Sequence, residues 1–142
     1  MKTDVILATL DDYTGAYCAK DIDSLMHVFD NSDNISVIGT GADEICVGRD
    51  AVRDLFLRNF GEASANRFEW NWVDTRVSEN HAVISTTLTI HLEYMKKQLK
   101  VPLRWTVVLK KEDDRWVWIH RHASTSASNQ EDGQAYPKDE HV

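Results

Sequence analysis

The chain has 142 residues, of which 42% are hydrophobic, and its formal net charge is -7. This length accommodates one domain with its own core and is short for two. The acidic balance argues against binding to DNA or RNA, because proteins that bind a phosphate backbone carry a basic patch that displaces counterions. The basic residues are scattered, so binding to a membrane surface is not predicted either.

The first nine residues contain no long apolar run behind basic residues. The sequence therefore predicts neither a signal peptide nor a membrane span, and it favours a cytoplasmic location. Cys18 and Cys46 belong to no CxxC pair. Two buried, reduced thiols are predicted rather than a disulfide or a metal site.

Three amphipathic helices are predicted in the first part of the chain. The first covers residues 4–20, the second begins at Asp21 or Asp23, and the third covers residues 48–60 and ends at Gly61. Their apolar stripes consist of Ile6, Leu10, Tyr13 and Tyr17, then Ile22, Leu25, Met26 and Phe29, then Val52, Leu55, Phe56 and Phe60.

Strand patterns occupy the rest of the domain. Two short segments precede the third helix and four long runs follow it, at residues 35–39, 44–47, 67–78, 81–94, 97–110 and 115–125. Short turns between consecutive strands imply antiparallel pairing. We therefore expect an α+β fold in which three N-terminal helices cover a curved antiparallel sheet and enclose a cone. This domain spans residues 1–126, and residues 127–142 form a polar, flexible tail.

Alternation along the last two strands gathers polar and aromatic side chains on one face. That face carries Arg104 and Thr106 on one strand, and Trp116, Trp118, His120, His122 and Ser124 on the next. If this face lines the interior, Arg104, His120 and His122 orient the polar end of a bound ligand, and the aromatic rings surround its apolar part. Alternation alone leaves the opposite choice open, which would place Val117, Ile119 and Arg121 inside.

Other aromatic residues are candidates for the same pocket. Tyr13 and Tyr17 lie one turn apart on the first helix. Trp70 and Trp72 share one strand face with Phe68 and Asp74 by alternation. The alternative for these rings is a role in the core or in a dimer interface.

No metal or cofactor is predicted. His120 and His122 are spaced like a ligand pair, and His91, Glu93 or Asp74 are possible further ligands from nearby strands. No acidic residue sits at a recognisable spacing, so the ligand set is incomplete. The sequence also lacks a phosphate-binding loop, a dinucleotide fingerprint and a Ser-His-Asp set.

The chain resembles the SnoaL-like branch of the nuclear transport factor two-like superfamily over residues 4–126. The resemblance rests on the two leading helices and on three motifs: Gly48-Arg49-Asp50-Ala51-Val52, similar to G-x-x-A-I; Arg104-Trp105-Thr106, similar to R-x-T; and Trp116 to Ser124, similar to W-x-I-x-H-x-H-x-S. It implies a cone-shaped α+β barrel with an internal cavity, which forms a homodimer through the outer face of its sheet.

The resemblance does not fix the reaction. The superfamily includes ketosteroid isomerase, limonene epoxide hydrolase, scytalone dehydratase and the calmodulin-dependent kinase association domain. Enzymatic members place a carboxylate inside the cone, and the candidates here are Asp30, Asp43 and Asp74, none of them in an alignable motif. We expect binding of a small, mostly apolar molecule in the cone. The alternatives are an association module without catalysis and a small isomerase or lyase.

Overall fold

A computed structural model describes residues 2–138 of the chain. Its three helices are α1 (Lys2–Cys18), α2 (Ile22–Val28) and α3 (Arg49–Glu62). The carboxylate of Asp21 caps α2 by accepting a hydrogen bond from the backbone N–H of Ser24 at 3.2 Å. Helix α1 ends two residues earlier than predicted, and Lys20 beyond it has a positive φ of 55°.

Six strands form one open, curved sheet in the order β2-β1-β6-β5-β4-β3. Their bounds are β1 (Ser36–Ile38), β2 (Ile45–Val47), β3 (Ser64–Val77), β4 (His81–Tyr94), β5 (Lys97–Glu112) and β6 (Arg115–Ser124). This confirms an α+β architecture with three helices and a six-stranded sheet. The prediction of a purely antiparallel sheet is wrong at one pair, because β1 runs parallel to β6, with Val37 opposite Arg121.

The main core lies between the helices and one face of the sheet, which we call the inner face. Helix α1 packs on β3 and β6. Ile6 and Tyr13 of α1 and Phe56 of α3 are fully buried, as are Val107 and Leu109 of β5. Burial of such side chains is the main favourable term in the stability of the fold. The opposite, outer face carries the alternate residues of the same strands.

The remaining segments form no regular structure. Residues 125–138 contain turns but no helix or strand, and the last four residues of the predicted tail lie outside the described range. Cys18 and Cys46 are free and half-buried. Among residues 2–138, no helix is both long and apolar enough to cross a membrane.

Candidate functional site

Strand β6 changes which of its residues face the helices partway along its length. Its register against β5 shifts between Trp118 and His120, so Ile119 is an extra residue without a partner. Such a bulge inverts the alternation of side chains beyond it. Trp118 therefore faces the helices before the bulge, whereas Arg121 and Ala123 face them after it, and all three are buried.

The two histidines of β6 consequently lie on the outer face. His120 is half-buried and His122 is exposed. Arg104 is exposed on the same face and pairs with Ser124. Arg104, His120 and His122 share one face as predicted, but the placement of that face inside is wrong. The bulge turns the two histidines outward, whereas Arg104 lies outside because the alternate residues of β5, such as Trp105, face the helices. None of the three lines the cavity between the helices and the sheet.

A second bulge, in β3, divides the predicted aromatic stripe. The register against β4 shifts between Trp70 and Trp72. Phe68 and Trp70 face the helices, whereas Trp72 and Asp74 face outward, and Trp72 is 55% exposed. The prediction that these four residues share one face is therefore wrong, although Trp70 stays on the inner side.

Tyr13 is at the centre of an aromatic cluster on the inner face. Its ring stacks on Trp118, with 4.9 Å between ring centres, and meets Trp105 edge-on at 5.1 Å. The indole N–H of Trp118 donates to Thr9 Oγ1 at 2.8 Å, which satisfies that buried polar group. Four of the predicted ligand-binding residues belong to this cluster: Tyr13, Tyr17, Trp70 and Trp118.

Arg121 places a cation inside the aromatic cluster. The residue is 6% exposed, and its Nη1 donates to the Tyr13 hydroxyl oxygen at 3.1 Å. Its guanidinium carbon lies 5.3 Å from the centre of the Trp105 ring, within cation–π range. Its Nε is buried without a hydrogen-bond partner, and it forms no salt bridge within residues 2–138. An unpaired buried charge costs the fold several kcal/mol.

A small cavity of about 100 Å³ adjoins this cation. Its lining includes Arg121 and Trp105, whose indole Nε1 is also buried without an acceptor. Each buried donor left without an acceptor costs about 1–3 kcal/mol. Tyr13, Tyr17 and Phe68 complete the aromatic part of the lining. The cavity therefore combines unpartnered donors with aromatic and aliphatic side chains on one side and the polar Thr40, Glu44 and Asn59 on the other. This combination suits a ligand with acceptor oxygens on an apolar body.

The loop between β1 and β2 and helix α3 form the entrance to this cavity. Glu44 and Asn59 line both the inner cavity and an adjoining outer one of about 310 Å³. Glu44 accepts a hydrogen bond from the backbone N–H of Gly41 at 2.6 Å. Arg58 of α3 forms salt bridges with Asp43 at 2.8 Å and with Glu44 at 3.3 Å. These contacts hold the loop against α3 beside the opening.

The two tyrosines of the cavity keep their protons and are available to a ligand as hydrogen-bond donors, not as bases. Burial raises the pKa of Tyr13 far above its ordinary value, and Arg121 offsets only part of that rise. Burial likewise raises the pKa of Tyr17. Both phenols therefore keep their protons throughout the physiological pH range.

The carboxylates considered as general bases lie elsewhere. Asp30 is buried but accepts hydrogen bonds from Ser32 at 2.6 Å and pairs with Lys110 at 3.2 Å. Burial would raise its pKa, yet these partners outweigh burial and hold the pKa at about 2. Asp74 pairs with Arg76 on the outer face, and Asp43 is at the entrance. None of the three lines the inner cavity.

A larger cavity, about 840 Å³, is a surface groove between α1 and α2. Its lining includes small residues such as Ala8, Gly15 and Ala19. None of its lining residues contains a buried polar atom without a partner. It therefore lacks the unpartnered donors that distinguish the inner cavity.

Sequence reasoning missed the central residue of this site. Arg121 was left as the alternative to the histidines, and Trp105 entered only as part of a motif. One signal was available, because Arg121 is the only charged residue between Trp116 and Ser124 apart from the titratable histidines. The position of Arg121 on the inner face depends on the bulge, and no residue type in β6 indicates where that bulge occurs.

This chain belongs to the SnoaL-like domain family, whose model matches residues 6–128. That assignment agrees with the resemblance drawn from the motifs. No curated protein matches the chain in sequence.

Solved structures share the fold at low sequence identity. An NTF2-like protein from Cytophaga hutchinsonii is 22% identical with a TM-score of 0.72, and the match covers 89% of this chain and 99% of that one. A protein from Xanthomonas campestris, provisionally assigned as a calcium/calmodulin-dependent protein kinase II association domain, is 19% identical with a TM-score of 0.77, covering 87% and 86%. An NTF2-like protein from Streptomyces avermitilis, provisionally assigned as a dehydratase, is 14% identical with a TM-score of 0.75, covering 89% and 97%. These likenesses concern the fold alone.

Proposed function

We propose that this protein binds a small, mostly apolar organic molecule with one anionic end in the cavity between its helices and its sheet. The observation that carries the proposal is Arg121, which is buried and, within the described part of the chain, has no salt bridge and an unpartnered Nε. A carboxylate would accept hydrogen bonds from the guanidinium in a bidentate arrangement and neutralise its charge. Ligand binding would thus offset the free-energy cost of burying the unpaired charge of Arg121.

The rest of the cavity suits such a ligand. Trp105 offers a second unpartnered donor, and the phenols of Tyr13 and Tyr17 keep their protons. The inner cavity of about 100 Å³ is below the usual size of a ligand site, about 300–1,000 Å³. The apolar body of the ligand would therefore extend into the adjoining cavity of about 310 Å³ at the entrance. Proton transfer is not part of this proposal, because Glu44, a carboxylate in the lining of the inner cavity, is engaged by the backbone N–H of Gly41 and by Arg58.

Matched pairs of carboxylates and carboxamides test the proposal. Benzoate and cinnamate should raise the melting temperature, whereas benzamide and cinnamamide should not, since only the acids neutralise Arg121. Occupancy at a hundredfold excess over Kd corresponds to about 2.7 kcal/mol. The Arg121→Met variant should lose this response and Arg104→Met, on the outer face, should keep it. An equal response to acid and amide, or loss in Arg104→Met alone, contradicts the proposal.

We also propose a homodimer that forms through the outer face of the sheet. Large apolar side chains are exposed at both edges of that face: Ile45 at 69% and Val47 at 72% on β2, and Trp72 at 55% on β3. Exposed apolar patches on a sheet commonly mark association surfaces. Structural neighbours assigned as association domains support this as a property of the fold.

The cytoplasmic location stays a prediction.

Sedimentation velocity tests the dimer. The wild type should sediment as a dimer, and Trp72→Glu should shift it toward the monomer, because a charge on that face is costly to desolvate. Leu57→Glu is the matched control, since Leu57 is 40% exposed on α3. A monomeric wild type, or equal effects of the two variants, contradicts a dimer through the sheet.

A further inference from the structure

Two histidines lie side by side on the outer face of β6, away from the proposed ligand cavity. The bulge at Ile119 places both rings on this face, with 6.2 Å between their centres and 77° between their planes. Two imidazoles bound tetrahedrally to one metal ion at about 2.0–2.1 Å have ring centres about 5 Å apart, so a rotation of the exposed His122 ring would bring the pair within chelating distance. We propose that His120 and His122 form a chelating site for a divalent transition-metal ion such as Zn²⁺ or Ni²⁺.

Ser36 gives the pair the support that metal-binding histidines ordinarily have. Its hydroxyl lies 2.7 Å from Nδ1 of His120, across the parallel pairing of β1 with β6. A ligating histidine usually uses one ring nitrogen for the metal and hydrogen-bonds the other, which fixes the ring orientation and the tautomer. With Nδ1 held by Ser36, Nε2 of His120 is the nitrogen that can bind the metal.

The neighbouring groups on this face leave room for metal binding. Thr106 pairs with His122 and Val108 with His120, so the nearest positions on β5 are uncharged. The closest cation on that strand, Arg104, donates to Ser124 at 3.2 Å and to the carbonyl of Thr125 at 3.1 Å. The guanidinium of Arg104 is therefore held by these two acceptors.

The number of protein ligands defines the kind of site. No group of three or more His, Cys, Asp or Glu side chains able to hold a metal occurs within residues 2–138. The chain thus supplies two nitrogen ligands, and water or the same pair from a second copy completes the coordination. Imidazole ligands favour Zn²⁺, Ni²⁺ and Cu²⁺ over Mg²⁺ and Ca²⁺, which prefer oxygen.

Calorimetric titration of the full chain with ZnCl₂, and with MgCl₂ for comparison, tests the site. Saturable Zn²⁺ binding is expected without Mg²⁺ binding, at one ion per chain, or at one per two chains if two copies share it. His122→Gln should abolish saturation, and its exposed position means that the variant should fold. His91→Gln, on the same sheet face but paired with Glu69 at 2.9 Å, should bind normally.

Ser36→Ala distinguishes a built site from a chance pair of histidines. Loss of the supporting hydrogen bond should weaken Zn²⁺ binding about tenfold while leaving both ligands in place. Co²⁺ added instead of Zn²⁺ should give visible absorption bands that His122→Gln loses. No saturable binding to the wild type, or unchanged binding to His122→Gln, overturns the proposal. Either result is independent of the carboxylate experiment, because the two sites lie on opposite faces.

Discussion

The two faces of the sheet carry polar groups of the neighbouring strands β5 and β6 in different environments. On the inner face, Arg121 is buried among aromatic rings with an unpartnered Nε. On the outer face, His120 contacts Ser36, and Arg104 is exposed with two acceptors. One extra residue, Ile119, separates the two environments.

A second comparison concerns the two buried charges. Asp30 and Arg121 are 2% and 6% exposed, yet Asp30 has a cation and a hydroxyl as partners. Within residues 2–138, Arg121 has the Tyr13 hydroxyl as its hydrogen-bond partner and aromatic rings around it, without an anion. A satisfied buried charge contributes to stability, and an unsatisfied one opposes it. The difference indicates that Asp30 serves the fold and that Arg121 serves a ligand.

Replacing tryptophans on the two faces should produce the largest difference. Trp118→Ala should lower the free energy of unfolding by about 3–5 kcal/mol, because it leaves a cavity in the core and removes the stacking partner of Tyr13. Trp72→Ala should cost less than about 1 kcal/mol in the monomer, because Trp72 is half exposed. Urea unfolding measures both, and similar losses would contradict the assignment of faces.

Lowering the pH should weaken the contribution of Asp30 to the free energy of unfolding. Its pKa in the folded protein, about 2, is below the ordinary value of 3.8, so its contribution is present above pH 4 and is lost as the pH falls toward 2. The contribution should be about 1–2 kcal/mol. Asp30→Asn should lower stability at pH 7 and flatten this part of the pH profile, as followed by urea unfolding. If Asp30→Asn has the same pH profile of stability as the wild type, the pair of Asp30 and Lys110 does not stabilise the fold.

Replacing Arg121, the cation without an anionic partner, should change the free energy of unfolding in the opposite direction. Arg121→Met should raise the free energy of unfolding of the ligand-free protein by about 1–2 kcal/mol, because an apolar side chain of similar length relieves the buried charge. The same variant should lose carboxylate binding. Chemical denaturation checks the first effect, and a marked destabilisation would mean that Arg121 has a structural role instead.

The smallest effect should come from the exposed ion pairs at the entrance. Arg58 is half exposed, and its bridges to Asp43 and Glu44 are screened by water. Arg58→Gln should therefore leave the melting temperature unchanged within error. Its effect should appear instead as faster carboxylate association and dissociation by stopped-flow fluorescence, because the loop at residues 39–44 loses its anchor on α3. Unchanged rates would mean that this loop does not control entry.

Much of the fold could be predicted because periodicity reflects burial directly. The apolar spacing of Ile6, Leu10 and Tyr13 predicted α1, and the four long strands occur at the expected places. Gly61 was expected to end α3 but lies in its last turn, at a position where nothing surrounds a Cβ within 4 Å. An exposed glycine weakens a helix without ending it, so the boundary depended on residues beyond it.

The candidate site was less predictable because two bulges reassign its residues. Alternation is reliable only while the register is unbroken, and the shifts at Ile119 and between Trp70 and Trp72 each invert it. No residue type marks these positions. The parallel pairing of β1 with β6 was missed for a related reason, since it joins segments that are distant in the chain.

The most direct test of the account observes the Nε–H group of Arg121 by NMR during titration with benzoate and then with benzamide. We predict a large chemical-shift change of this one resonance with the acid, saturating at one equivalent, and no such change with the amide. A resonance that ignores benzoate, or that shifts equally with both compounds, would contradict the role of Arg121 as the anchor of an anionic ligand.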